Sequence, residues 1–200
     1  MIFLGIFPPH LGREILEILK TLTDQRLEAK AKKDSTTSDS LKISINSCFG
    51  NLGDKHSFMY SPTSMLRVTI NGQLFMLMLI EKLYEAIGDD IWCFYSNTDG
   101  STFKLKRSQI QTFKEVCQDF YDEVLPISQD FDMYVSCWIE HVNSYHITKC
   151  GGKVKRKGSF LLPNEQQPHK NNSSGIVPIA IDRYITKGIP IMDTIKSHAN

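Results

Sequence analysis

Many signatures of common catalytic classes have no counterpart in these 200 residues. There is no glycine-rich phosphate loop, no G-x-G-x-x-G, no G-x-S-x-G and no H-E-x-x-H. The six histidines (10, 56, 141, 146, 169 and 198) show no metal-ligand spacing and read as ordinary packing or surface residues. Long apolar runs are missing too. The longest, Leu74 to Ile80, has seven residues, against the roughly 20 a membrane crossing takes, so no membrane partner is expected. The opening MIFLGIFPPH has no basic flank and no small-residue cleavage site, which makes it a poor signal peptide. The cysteines are five, an odd number, and no C-x-x-C occurs. That argues against a disulfide framework or a zinc ribbon and fits a reducing, cytoplasmic setting. A net charge of +1 carries no message about partners. The hydrophobic share, 41%, is that of a globular chain able to bury a core.

What is present is local. From Glu115 to Ile147 there are seven acids and no lysine or arginine; from Lys149 to Lys157 there are five basic residues and no acid. Two solvated faces would produce this pattern, and so would a strip that binds a phosphate backbone.

The periodicity predicts an α+β chain. Leu11, Ile15, Ile18, Leu19 and Leu22 space a helix over 11–33. The polar run DSTTSDS (34–40) reads as a turn, followed by a second helix over about 39–49 with Leu41, Ile45 and Cys48 inward. The pair is a helical hairpin. Ser61-Pro62 starts a third helix, which runs to about Ile87 and is apolar nearly all round between Val68 and Leu83; such a helix is expected to be buried on every side. IWCFYS (91–96) and STFKL (101–105) flank an Asp-Gly turn and predict a β-hairpin. Residues 108–123 read as a helix, 133–149 as strands and 164–175 as a linker, with two short helices after Val177.

Three constellations could carry chemistry. On the first helix Arg26, Lys30 and Lys33 fall at i, i+4 and i+7; on the second, Lys42, Asn46 and Phe49 do the same. Facing each other they could hold a polyphosphate, although lysines on helices more often simply face solvent. Asp99 sits at the hairpin tip. It could ligate Mg²⁺, which takes one or two carboxylates plus substrate phosphates, or merely make the turn. Lys153, Lys155 and Lys157 alternate, so a strand would put three cations on one face. They could grip phosphates or protect an exposed edge.

Taken in order, these pieces resemble family-B DNA polymerases. LKISINSCFGNLG (41–53) is similar to the signature K-x-x-x-N-S-x-Y-G: Lys42, Asn46, Ser47 and Gly50 match, and Phe49 stands where tyrosine is usual. YSNTDG (95–100) resembles the palm signature Y-x-D-T-D-S, with Asn97 in place of the first acid. KVKRKG (153–158) resembles the lysine-rich element that contacts the primer terminus. Arg26 and Lys30 match the family's triphosphate-binding pair. The wording is most similar to polymerases of phages and related viruses, which implies a host cytoplasm.

The resemblance implies an α+β architecture: helical-hairpin fingers (1–52), a palm with an antiparallel sheet packed on helices (53–162), and a linker with the start of a helical thumb (163–200). It implies template-directed nucleotidyl transfer with two Mg²⁺ ions and DNA primer–template and dNTPs as partners. Asp99 would be the catalytic carboxylate, as a metal ligand. Arg26, Lys30, Lys42, Asn46 and Phe49 would form the nucleotide site, and Lys153, Lys155, Lys157 and Gly158 the DNA contact. The family's other palm carboxylate lies in an upstream D-x-x-S-L-Y-P element that does not occur in this sequence. The chain alone is therefore expected to be inactive, with an upstream polymerase chain as a further partner. The alternative is a non-catalytic, nucleic-acid-binding remnant.

Overall fold

A computed structural model of the protein describes residues 1–97, 100–124, 129–166 and 174–198. The chain is α+β and divides into two units, Met1–Ile127 and Ser128–Asn200. The division falls inside the span 53–162 expected for the palm.

In the first unit, helix α1 (Glu14–Ala31) and helix α2 (Ser35–Asn51) pack on each other. The buried stripe of α1 is Leu16, Leu19 and Ala29, whereas Ile18 is 55% exposed. Both candidate stripes obey helical spacing. The buried one ends in Ala29. Helix α2 begins four residues earlier than the sequence suggested. The Asp34 carboxylate accepts a bond from the Thr37 backbone N–H at 3.1 Å and caps it, while Lys33 makes the corner at φ +59°. The run read as a turn is thus the first turn of the helix. Leu41, Ile45 and Cys48 are half-buried, and no residue of α2 is fully buried.

Helix α3 (Pro62–Ile87) starts at the expected Ser61-Pro62. The Ser61 hydroxyl donates to Ser64 Oγ at 2.9 Å, and Ser64 donates to the Phe7 carbonyl at 2.9 Å, which ties the N-terminal segment to the helix. Leu79, Leu83 and Ile87 enter a core shared with Ile91, Cys117 and Phe120. The opposite face corrects the expectation of burial on every side: Leu66, Ile70, Leu74 and Leu77 are each at least half exposed. One apolar stripe meets the core; the other is left at least half exposed among the described residues. By length and composition alone α3 would also be long and apolar enough to cross a membrane.

Strand β1 (Ile91–Ser96) pairs antiparallel with β2 (Ser101–Leu105), as predicted. Helix α4 (Ile110–Val124) covers them with Cys117 and Phe120, and Phe113 meets Phe103 edge-on at 5.3 Å. Burial pushes the Cys117 thiol up to about 11. All five cysteines are free thiols.

The second unit is a three-stranded antiparallel sheet, β3 (Tyr134–His141), β4 (Ser144–Lys149) and β5 (Val154–Lys157), in the order β3-β4-β5. Helices α5 (Ile176–Lys187) and α6 (Ile191–His198) follow and pack on each other. Among the described residues the strands therefore form two small sheets, one in each unit.

Candidate nucleotide and nucleic-acid sites

Period-two alternation decides what β5 can do. In its register with β4, Lys157 lies opposite Tyr145, Arg156 opposite His146, and Lys155 opposite Ile147. Lys155 and Lys157 thus share one face with Tyr145, and Arg156 shares the other with His146.

On the lysine face, the Tyr145 ring is buried, with Lys155 Nζ 5.7 Å and Lys157 Nζ 5.9 Å from its centroid. Both distances are within cation–π range. Lys153, just before the strand, is also exposed, and its carbonyl accepts the Lys149 N–H at 2.9 Å. Among the described residues none of these three lysines makes an ion pair. The other two cations of the basic run are neutralised. Lys149 pairs with Asp132 at 2.6 Å. Arg156 pairs with Asp182 and with Glu165.

The opposite face anchors α5. His146 is fully buried, and its Nε2–H donates to Asp182 Oδ1 at 3.0 Å. Arg156 Nε donates to the same oxygen at 2.8 Å. Burial alone would raise the Asp182 carboxyl, but the bonds from His146 and Arg156 together outweigh it and hold it below the ordinary carboxylate range. His146 Nδ1 is buried without a hydrogen-bond partner among the described residues.

Gly158 closes the strip. Its φ is +66°, and a Cβ there would lie 2.5 Å from the Asn143 carbonyl oxygen and 2.7 Å from Ser144 Cβ. The close approach explains why glycine stands here. Beside it Ser144, fully buried, and Ser159 both donate to Glu140 Oε2, at 2.8 and 2.6 Å. These two bonds hold the Glu140 carboxyl below its usual range.

In the first unit, Asn46 and Phe49 do come together. With Leu19, Ile45, Val68, Met1 and Ile2 they line a groove of about 250 Å³ where α1, α2 and α3 meet. Lys42, one turn earlier on α2, and Lys30 on α1 are exposed and stand outside its walls. Arg26 is half-buried, and its Nε is buried without a hydrogen-bond partner among the described residues. An orphaned guanidinium nitrogen is uncommon in a folded chain, because a buried donor without an acceptor is costly.

Asp99 lies outside the described residues, but the frame of its hairpin does not. The Asn97 N–H donates to the Gly100 carbonyl at 2.9 Å, and the Ser96 and Ser101 hydroxyls meet at 2.7 Å. On β1 the Cys93 N–H donates to the Tyr84 hydroxyl at 2.9 Å, fixing the strand to α3.

Sequence reasoning missed Tyr145 and Asp182. An alternating basic–aromatic pairing is visible only once β4 and β5 are in register, and Asp182 lies far from His146 and Arg156 in sequence. No protein-family model matches the chain, and no curated protein matches it at a significant level.

Proposed function

We propose that this chain is the fingers, most of the palm and the start of the thumb of a family-B, phage-type DNA-directed DNA polymerase. The observation that carries the reading is the order and local setting of three signatures. K-x-x-x-N-S-x-F-G lies on the second helix of a helical hairpin, the second signature begins at Tyr95 and Ser96 on β1, which pairs with β2, and the lysine element forms a strand ending at a glycine turn.

Roles follow from chemistry. Arg26, Lys30 and Lys42 neutralise the incoming triphosphate; the unpartnered Arg26 Nε is consistent with that. Asn46 and Phe49 line the nascent base pair, where the ring offers stacking area. Lys153, Lys155 and Lys157 hold the primer–template backbone, and Gly158 shapes the turn that ends their strand. Asp99 would hold Mg²⁺. One carboxylate, completed by substrate phosphates, suits that ion. When bound, the two ions of such a site stabilise the attacking and leaving oxygens. The second carboxylate comes from an upstream segment. The uncovered apolar face of α3 and the two-stranded β1–β2 sheet are surfaces on which such a segment could pack.

A second reading, a non-catalytic nucleic-acid-binding remnant, is favoured by one observation: the lysine face is built without any need for Asp99. Supplying the chain with an upstream polymerase segment that carries D-x-x-S-L-Y-P separates the two. Primer extension by the mixture supports the enzyme. DNA binding with no extension supports the remnant.

A further inference from the structure

We propose that Tyr145 is a positioning residue of the backbone-binding strip: its buried ring seats Lys155 and Lys157 together, so that the pair meets successive phosphates of one nucleic-acid strand as a preset unit. The inference rests on the nucleic-acid reading of β5 given above.

Two alternate positions on a strand are about 6.6–6.8 Å apart, a separation of the order of that between neighbouring phosphates on one chain. Spacing alone does not hold the heads there, since a lysine has four rotatable carbons and its ammonium samples many positions. Tyr145 removes much of that freedom. Its ring is 8% exposed and lies opposite Lys157 in the β4–β5 register. One centroid serves both ammonium groups, at 5.7 and 5.9 Å. The attraction to the ring quadrupole leaves the charge intact and uses no acid, so each ammonium keeps its capacity to bind phosphate. A carboxylate at 145 would hold the lysines by neutralising them, and an aliphatic residue would fill the space without holding them.

The neighbouring residues make the seat rigid. Ser144, the residue before Tyr145, accepts the Ser159 backbone N–H at 3.1 Å and donates to Glu140. Gly158, the residue after Lys157, packs against the backbone of residues 143 and 144. The register that puts Lys157 over the ring is therefore pinned at its end. Arg156 does not compete for the same phosphates, because it points to the other face and pairs with Asp182 and Glu165.

The test uses the full 200-residue chain and a fluorescent primer–template DNA, with affinity read by anisotropy across a salt series. Lysine ε-methylene proton shifts are read by NMR in the same samples. In the unmodified protein, the ε-protons of Lys155 and Lys157 should show ring-current shifts away from free-lysine values. Tyr145→Phe should keep both those shifts and the affinity, within twofold. Tyr145→Leu should abolish the shifts and weaken binding about fivefold to tenfold, the effect of two weak cation–π contacts. Free-lysine shifts in the unmodified protein overturn the proposal whether or not the Leu variant folds. Unchanged affinity in a folded Tyr145→Leu variant overturns it while the nucleic-acid reading stands. Absence of DNA binding by the unmodified chain overturns both, and that result is distinct from the other two.

Discussion

Arg156 and Asp182 lie 26 residues apart in sequence and are joined twice, Nε and Nη2 of the guanidinium lying 2.8 and 2.7 Å from a single carboxylate oxygen. That oxygen also receives His146 Nε2–H at 3.0 Å. It is the polar anchor that fixes α5 to the back of the sheet whose front carries the lysines.

Removing its charge should loosen the second unit. Asp182→Asn keeps an amide oxygen but removes the negative charge that the part-buried guanidinium and the buried imidazole face, a change expected to cost about 2–4 kcal/mol. Urea unfolding of the variant, followed by circular dichroism, measures the loss. A change below about 0.5 kcal/mol would show that the three contacts contribute nothing net.

The same carboxylate sets a pH dependence. Its folded-state titration lies below the unfolded one, so the stabilisation is fully present above the ordinary aspartate range, near pH 4. It is lost as pH falls through the lower, folded value. Melting temperatures between pH 7 and pH 2.5 should decline on the acid side, and Asp182→Asn should flatten part of that decline. An identical acid limb in the variant would assign the loss to other carboxylates, Glu140 among them.

Gly158→Ala combines a strained positive φ with a Cβ closer to the Asn143 carbonyl than real contacts allow. It should cost about 2–4 kcal/mol and displace the end of β5. Both stability and DNA affinity should fall together, since the turn orders the strip. A fully stable Gly158→Ala with weakened DNA binding would instead put the glycine in direct contact with DNA.

Much of this was legible in the sequence, and the failures have physical causes. The β1–β2 hairpin and the start of α3 were read to the residue, because alternating aromatic runs around Asp-Gly and a Ser-Pro start are local signals. The α2 start was misplaced because Asp34, not a later residue, is the N-cap, and a polar run reads the same as a turn or as a first helical turn. The outer face of α3 was expected inside because composition cannot say whether an apolar stripe has a partner in its own chain. Lys155 and Lys157 were visible as an alternation. Their ring, and the removal of Arg156 to the other face, required the β4–β5 register and a helix far along the chain.

The exposed stripe of α3 gives a prediction specific to the incomplete-palm reading. Ile70→Glu and Leu74→Glu change side chains that are each half exposed, so the stability of the chain by itself should move by no more than about 0.5 kcal/mol. Primer extension after addition of an upstream segment should be lost, because a charge would be buried beneath it. Normal extension by the complemented variants would show that the segment packs elsewhere.

In the proposed polymerase reading Asp99 is one carboxylate of a two-ion site and a second is supplied by a separate segment. The most direct test of that reading is primer extension with Mg²⁺ and all four dNTPs, by the chain alone and with the upstream segment added, using circular dichroism to confirm folding. The chain alone should give no product above background, and the complemented protein should extend the primer. In the complemented protein Asp99→Asn should abolish extension, whereas Asn97→Asp should be tolerated. Extension by the chain alone, or extension surviving Asp99→Asn, would contradict the account.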